Sequence, residues 1–240
     1  MAELEVAKHG KNVVTMAASK EHGLAHKLKE IALEIAIIVF AVSISIWFHS
    51  MSEHRHEQKQ VQVFLLGLKA DLSRDIKQLA WLDEAYRASD DGFRYLAALD
   101  PKGSPDAEKF ERAYEMTFSN RFFGPVTSRF EGFKSSGKLI NIEDQELLND
   151  IMTLYQENHR AIAYSERGWS NNHDKLRNYL DVALESGDSI EQRYRALNTV
   201  NGKRLLRNAA TYKQVYERYA ATAKLSEKII QRIDVLYKPS

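Results

Sequence analysis

Cysteine is absent from the 240 residues. That removes disulfides, thiolate metal sites and cysteine nucleophiles together, and it leaves the redox compartment open because both kinds of compartment tolerate the absence. Proline and glycine are scarce, at 4 and 11 residues, as suits long helices. Charge of one sign is lacking too: 34 basic residues stand against 33 acidic ones for a net +1. No global field favours nucleic acid or anionic lipid, and nucleic acid is not an expected partner. Strand-like alternation and βαβ patterning are also missing. The class that remains is all-α: an N-terminal transmembrane helix continuing into a helical bundle with two long amphipathic helices.

What is present is one long apolar run. From Ile31 to Phe48 every residue is apolar or small except Glu34; at about 1.5 Å per residue this covers roughly 27 Å, close to a hydrocarbon core of about 30 Å. Lys27 and Lys29 before it, and Trp47 and His49 at its end, are of the kind that anchor at an interface. The run starts too deep in the chain for a signal peptide and has no small-x-small exit. The reading is therefore a cytoplasmic segment over 1–29, a transmembrane helix over 30–49 and a helical soluble domain over 50–240. Lys11, Lys20, Lys27 and Lys29 precede the span whereas only Arg55 and Lys59 follow closely, which places the N-terminus inside. In a bacterium the soluble domain is then periplasmic and the anchor lies in the inner membrane. Glu34 sits about one turn from the lysine end, where its carboxylate reaches the interface. With Ile38, Ala41 and Ser45 it lies on one helical face, and small and hydroxyl residues let helices approach closely. Glu34, Ala41 and Ser45 are the candidate contacts for helix association. Before the span, Val13 to Lys20 has the pattern of a short amphipathic helix.

After the span, Val61, Phe64, Leu65, Leu68, Leu72, Ile76, Leu79 and Leu82 recur at spacings of three and four, the pattern of an amphipathic helix running on to Asp100-Pro101-Lys102-Gly103. Asp71 and Asp75 fall on its polar side. A second helix is expected over Asp106–Phe118. Ser128 and Glu131 form a capping-box pair for a short helix that packs Phe130 and Phe133 and stops at Gly137. Asn141 is the expected cap of a longer helix reaching Tyr164, followed by a turn at Gly168–Asn172, helices over His173–Leu184 and Ile190–Val200, and a final helix Lys203–Tyr237.

Two of these segments carry a resemblance. The Glu-headed run from Glu34 to Trp47 with the helix from Phe64 to Ile76, and the element from Ser128 to Leu139, resemble an uncharacterised family of bacterial single-pass membrane proteins. In that family such a span precedes an "LxxLxxDLxxDI"-like helix and an "F-x-x-L-K-x-S-G-x-L" element. Phe130, Lys134, Ser136, Gly137 and Leu139 match the latter, whereas Gly132-Phe133 stands where the family has Glu-Leu. The segments cover about a quarter of the chain. The resemblance implies an inner-membrane anchor and a helical domain outside the cytoplasm, and it adds no catalytic residue.

Candidate chemistry is sparse. His49, Glu53 and His56 share a helical face at a spacing able to hold a divalent metal, against which stands a plain solvated face next to the span. Lys134 to Gly137 lacks the preceding strand and glycine run of a phosphate loop and reads as a helix end. Asp71, Asp75, Asp83 and Glu84 read as a solvated face rather than as acid–base carboxylates. Tyr212, Tyr216 and Tyr219, with Lys213 and Arg218, read as core or interface residues before ligand groove. No cofactor and no enzymatic activity are expected. The function read from the sequence is a membrane-anchored helical interaction module, a homo-oligomer or a subunit with a membrane-protein partner. The alternative is an extracytoplasmic ligand-binding sensor that signals through a partner protein.

Overall fold

A computed structural model describes the backbone of residues 2–211 and 213–237, and the side chains of residues 28, 29, 31–211 and 213–237. The amphipathic face expected for Val13–Lys20, the flanking Lys11, Lys20 and Lys27, the first residue of the span, Glu30, and Tyr212 lie outside the described side chains. Among the described residues there are eight α-helices and no strand. They are α1 (Ala2–Ala98), α2 (Ala107–Met116), α3 (Ser128–Ser135), α4 (Gln145–Thr153), α5 (His159–Ala183), α6 (Ile190–Leu197), α7 (Val200–Ala209) and α8 (Lys213–Leu236). A 3-10 turn over Lys138–Asn141 precedes α4, and a π-helical turn over Leu154–Asn158 joins α4 to α5. The chain divides into two compact units, Met1–Lys59 and Gln60–Ser240.

In the first unit, α1 carries one stretch long and apolar enough to cross a membrane, with none of it buried by protein. Ile38, Phe40 and Ile46 are each more than 60 % exposed.

In the second unit, the long helices bury residues in a heptad register. Along α1 the positions Val61, Leu65, Leu68, Leu72, Asp75, Leu79, Leu82, Tyr86, Ser89, Phe93 and Leu96 alternate steps of four and three without a break, and every one is buried. Val215, Tyr219, Thr222, Ser226, Ile229 and Ile233 keep the same rhythm along α8. A repeat of 3.5 residues keeps one seam turned toward neighbouring helices. In the long middle leg the register runs Leu147, Ile151, Leu154, then slides by one residue to His159, Ile162, Glu166, Trp169, His173, Leu176 and Leu180. The π turn inserts that extra residue, as single π turns do.

The bundle has four legs. α1 and α8 run antiparallel: Lys69 pairs with Asp234 toward one end, and Asp90 accepts from the Tyr216 hydroxyl toward the other. The α4–α5 leg runs with α1, setting Trp169 edge-on to Tyr86 and His173 edge-on to Phe93. The fourth leg is helical only at its ends, in α2 and α3; between them residues 119–126 form a strap without regular secondary structure. Three apolar clusters line the seam. One gathers Val61 to Leu72 with Phe130, Ile151 and Ile233, one gathers Leu79, Tyr86, Trp169 and Tyr219, and one gathers Phe93, Phe110, Leu176 and Leu206.

Several expected boundaries move, each for a local reason. Ser128 does not cap: it is the first residue of α3, Thr127 at the N-cap is already helical (φ −106, ψ −18), and no side chain caps that end. The strap is anchored at Val126, so the chain enters the helix from a fixed point with no room for the box. Gly137 does stop the segment in the left-handed region, at φ 72, where glycine carries no steric penalty. Asn141 lies in the 3-10 turn. Ile142, 1 % exposed, draws the chain extended (φ −75, ψ 107), and Asp144 caps α4 instead by accepting from Leu147 N at 3.0 Å. Gly168–Asn172 is not a turn but helix, because Trp169 and His173 occupy seam positions in the middle of α5. Their ring nitrogens Nε1 and Nε2 both donate to the Ala209 carbonyl at 3.0 Å. That carbonyl ends α7, and Thr211 N donates to Asp90 Oδ1 at 2.6 Å, so the expected single helix Lys203–Tyr237 is two, with its corner at Ala210 and Thr211.

Candidate functional site

The strap creates the most unusual chemistry in the second unit. A non-helical segment inside a helical bundle has no helical or ladder partners, yet its buried N–H and C=O groups must be satisfied. Side chains from the seam do this one group at a time. The Tyr86 hydroxyl donates to the Arg121 carbonyl, Phe123 N donates to Glu166 Oε1 at 2.9 Å, and Val126 N donates to both oxygens of Asp75 at 3.1 and 3.2 Å. The Tyr155 hydroxyl donates to the Val126 carbonyl at 3.2 Å. Gln78, its amide turned to suit both, donates to the Gly124 carbonyl at 3.1 Å and accepts from its N–H at 3.3 Å. Outside, the Arg121 guanidinium lies 5.5 Å over the Trp81 ring.

Two carboxylates and a histidine are consequently buried. Asp75 is 1 % exposed, and burial pushes its carboxyl up to about 6 against the opposing pull of the Val126 N–H and of Arg74. Glu166, 3 % exposed, is also raised by burial, with the Tyr219 hydroxyl and the Phe123 N–H pulling the other way. Tyr219 donates to the same Oε1 that Phe123 uses. His159 stands at the end of the π turn between the rings of Phe123 and Tyr155, at 5.6 and 4.9 Å, and burial lowers it to about 4. Its Nδ1 is buried with no hydrogen-bond partner. Burial thus disfavours the charge on each of the three groups.

Asp75 therefore corrects the sequence reading, which left it on a solvated face. Its companions there are ion-paired at the surface: the partly buried Asp71 with Arg129 at 2.8 Å and Asp83 with Arg87 at 2.7 Å. Glu34, Ala41 and Ser45 are all exposed on α1. The Ser45 hydroxyl donates to the Ala41 carbonyl at 2.8 Å, so what it offers a neighbour is small surface. In the element from Ser128 to Leu139, Phe130 stacks on Tyr155 at 4.1 Å and Phe133 on Phe64 at 4.0 Å, while Leu139 packs on the same cluster. Lys134 approaches Glu131 at 3.8 Å and the Ser136 hydroxyl donates to the Phe133 carbonyl at 2.7 Å; these contacts are local and hold a helix end. His49, Glu53 and His56 are exposed along α1, and no group of three or more metal-competent side chains gathers among the described residues. Tyr216 and Tyr219 turn to different partners, Asp90 and Glu166, and Arg218 donates to the Ala161 carbonyl, so they do not form one groove.

No family model, curated protein or solved structure matches the chain.

Proposed function

We propose that the chain is a membrane-anchored, non-enzymatic helical interaction module, spanning a bacterial inner membrane once over residues 30–49, with its N-terminus cytoplasmic and its bundle in the periplasm. The observation that carries the reading is the apolar stretch of α1, none of which is covered by protein. Eighteen consecutive residues from Ile31 to Phe48 with one carboxylate among them need lipid or another helix around them. The excess of lysine before the span supports the orientation. Within the bundle, the buried carboxylates Asp75 and Glu166 hold backbone N–H groups in place, a structural use of acids.

Self-association through the face of Glu34, Ala41 and Ser45 follows from its small, exposed residues. The test is the mass of the full chain in neutral detergent by light scattering. A defined oligomer that shifts toward monomer with Ala41→Leu or Ser45→Leu is the expected result. A monomer indifferent to both changes overturns the self-association.

A further inference from the structure

Glu166 places a carboxyl where its structural task requires only an acceptor. Oε1 takes both of its hydrogen bonds, from Phe123 N and from the Tyr219 hydroxyl. A glutamine oxygen would accept the same two donors with no charge to desolvate. Among the described residues no cation pairs with Glu166, and its surroundings supply hydrogen-bond dipoles only. Yet Glu166 is not sealed off. It lines an open crevice of about 320 Å³ together with Phe122, Phe123, Ala163, Arg167, Ser170 and Asn171. Oε2 has no hydrogen-bond partner among the described residues, and the same holds for the side chains of Ser170 and Asn171, one turn further along α5.

We propose that this crevice is a binding site for a small primary ammonium compound, its nitrogen directed at Glu166. The chemistry of the lining selects that class. A buried carboxylate without a countercharge is stabilised most by a cation that enters its low-dielectric surroundings. Three N–H groups of an ammonium match three free acceptors in Oε2, the Ser170 hydroxyl and the Asn171 amide oxygen. The rings of Phe122 and Phe123 supply faces that favour a cation. The volume is at the lower end for ligand sites, which limits the guest to a small molecule. Arg167, exposed at the same crevice, repels a second positive charge and so disfavours a polyamine. The inference concerns Gln60–Ser240 alone and goes beyond the interaction module, since it holds whether or not the chain self-associates.

The test uses the full chain in neutral detergent at pH 7, titrated with ethanolamine and with its uncharged counterpart ethylene glycol, with binding read by saturation-transfer NMR. Ethanolamine is expected to bind saturably and ethylene glycol to give no signal. Glu166→Gln, which keeps the acceptor for Phe123 and Tyr219, is expected to retain or raise the thermal midpoint and bind ethanolamine about tenfold to a hundredfold more weakly, the worth of one charge-assisted hydrogen bond. Ser170→Val, at a half-exposed position, provides a second variant that removes one acceptor and narrows the crevice without touching the strap. Equal binding of the two probes, ethanolamine binding undiminished in both variants, or no ethanolamine binding by the parent each overturns the proposal.

Discussion

Replacing Asp75 by asparagine tests whether the strap is held by a carboxylate that the fold prefers uncharged. The parent carboxyl is raised from 3.8 to about 6. A raised acid contributes stability that is fully present below its unfolded pKa and is lost as pH rises through the folded one, here between about pH 4 and pH 6. At roughly 1.4 kcal/mol per unit, the ionised parent is about 3 kcal/mol less stable at pH 8 than it would be with a neutral group. Asp71 and Arg74 on the same helix, Arg129 against Asp71, the Tyr155 hydroxyl and the Val126 N–H all face the site. The asparagine side chain retains an oxygen for Val126, while its buried N–H group costs about 1 kcal/mol at every pH. The decisive quantity is therefore the difference between variant and parent: it moves by about 3 kcal/mol in favour of Asp75→Asn from pH 4 to pH 8. In a unit of this size that is about 6–12 °C in thermal midpoint, measurable by circular dichroism on the full chain in detergent. A difference that stays constant across that range refutes the assignment of a dry, ionisable Asp75.

His159 has the opposite slope, so the parent curve alone hides both groups. Burial lowers it from 6.5 to about 4, and the stability it supplies is present above pH 6.5 and lost as pH falls through the folded value; His159→Phe, between two rings already, is expected to remove about 3 kcal/mol of acid destabilisation, read as the midpoint difference between pH 4 and pH 7. At the α6–α7 corner, a Cβ on Gly202 would meet the Ala196 and Leu197 carbonyl oxygens at 2.5 and 2.7 Å. Backbone cannot swing aside as a side chain does, so Gly202→Ala is expected to cost about 1–3 kcal/mol in denaturant unfolding.

The helical class, the C-terminal end of α1 and the start of α2 were legible because Pro101-Lys102-Gly103 and Asp106 are strong punctuation. The middle of the chain was not, and the π turn explains why. By inserting one residue after Leu154, it shifts the apolar register of the middle leg. Read with a single phase, Gly168 to Asn172 looks like a polar turn. Read with the shifted phase, Trp169 and His173 fall inside. The corner at Ala210 was hidden for a related reason: it is set by Asp90 and by the rings of Trp169 and His173, all remote in sequence. Local propensity carries no record of such partners.

Polarity alone puts Asp75 on the outer face of its helix, and the register shift at the π turn conceals the inward position of Glu166. Position by position, Leu72, Asp75 and Leu79 keep the four-and-three rhythm, and Ile76 is the residue that breaks it. A seam that continues through a carboxylate is the legible sign of a polar layer, as it is where one polar residue fixes register in a coiled coil. The layer exists because the fourth leg is not helical there: backbone N–H groups turned toward the seam require acceptors at that level, and an all-apolar seam would leave them orphaned. The two acids differ in what lies beyond them. Asp75 uses both oxygens on one N–H and has Arg74 nearby to offset its charge, so the strap accounts for it. Glu166 has no such cation and one oxygen to spare at an open crevice, so the strap accounts for one oxygen of its carboxyl and leaves the other to what enters from outside.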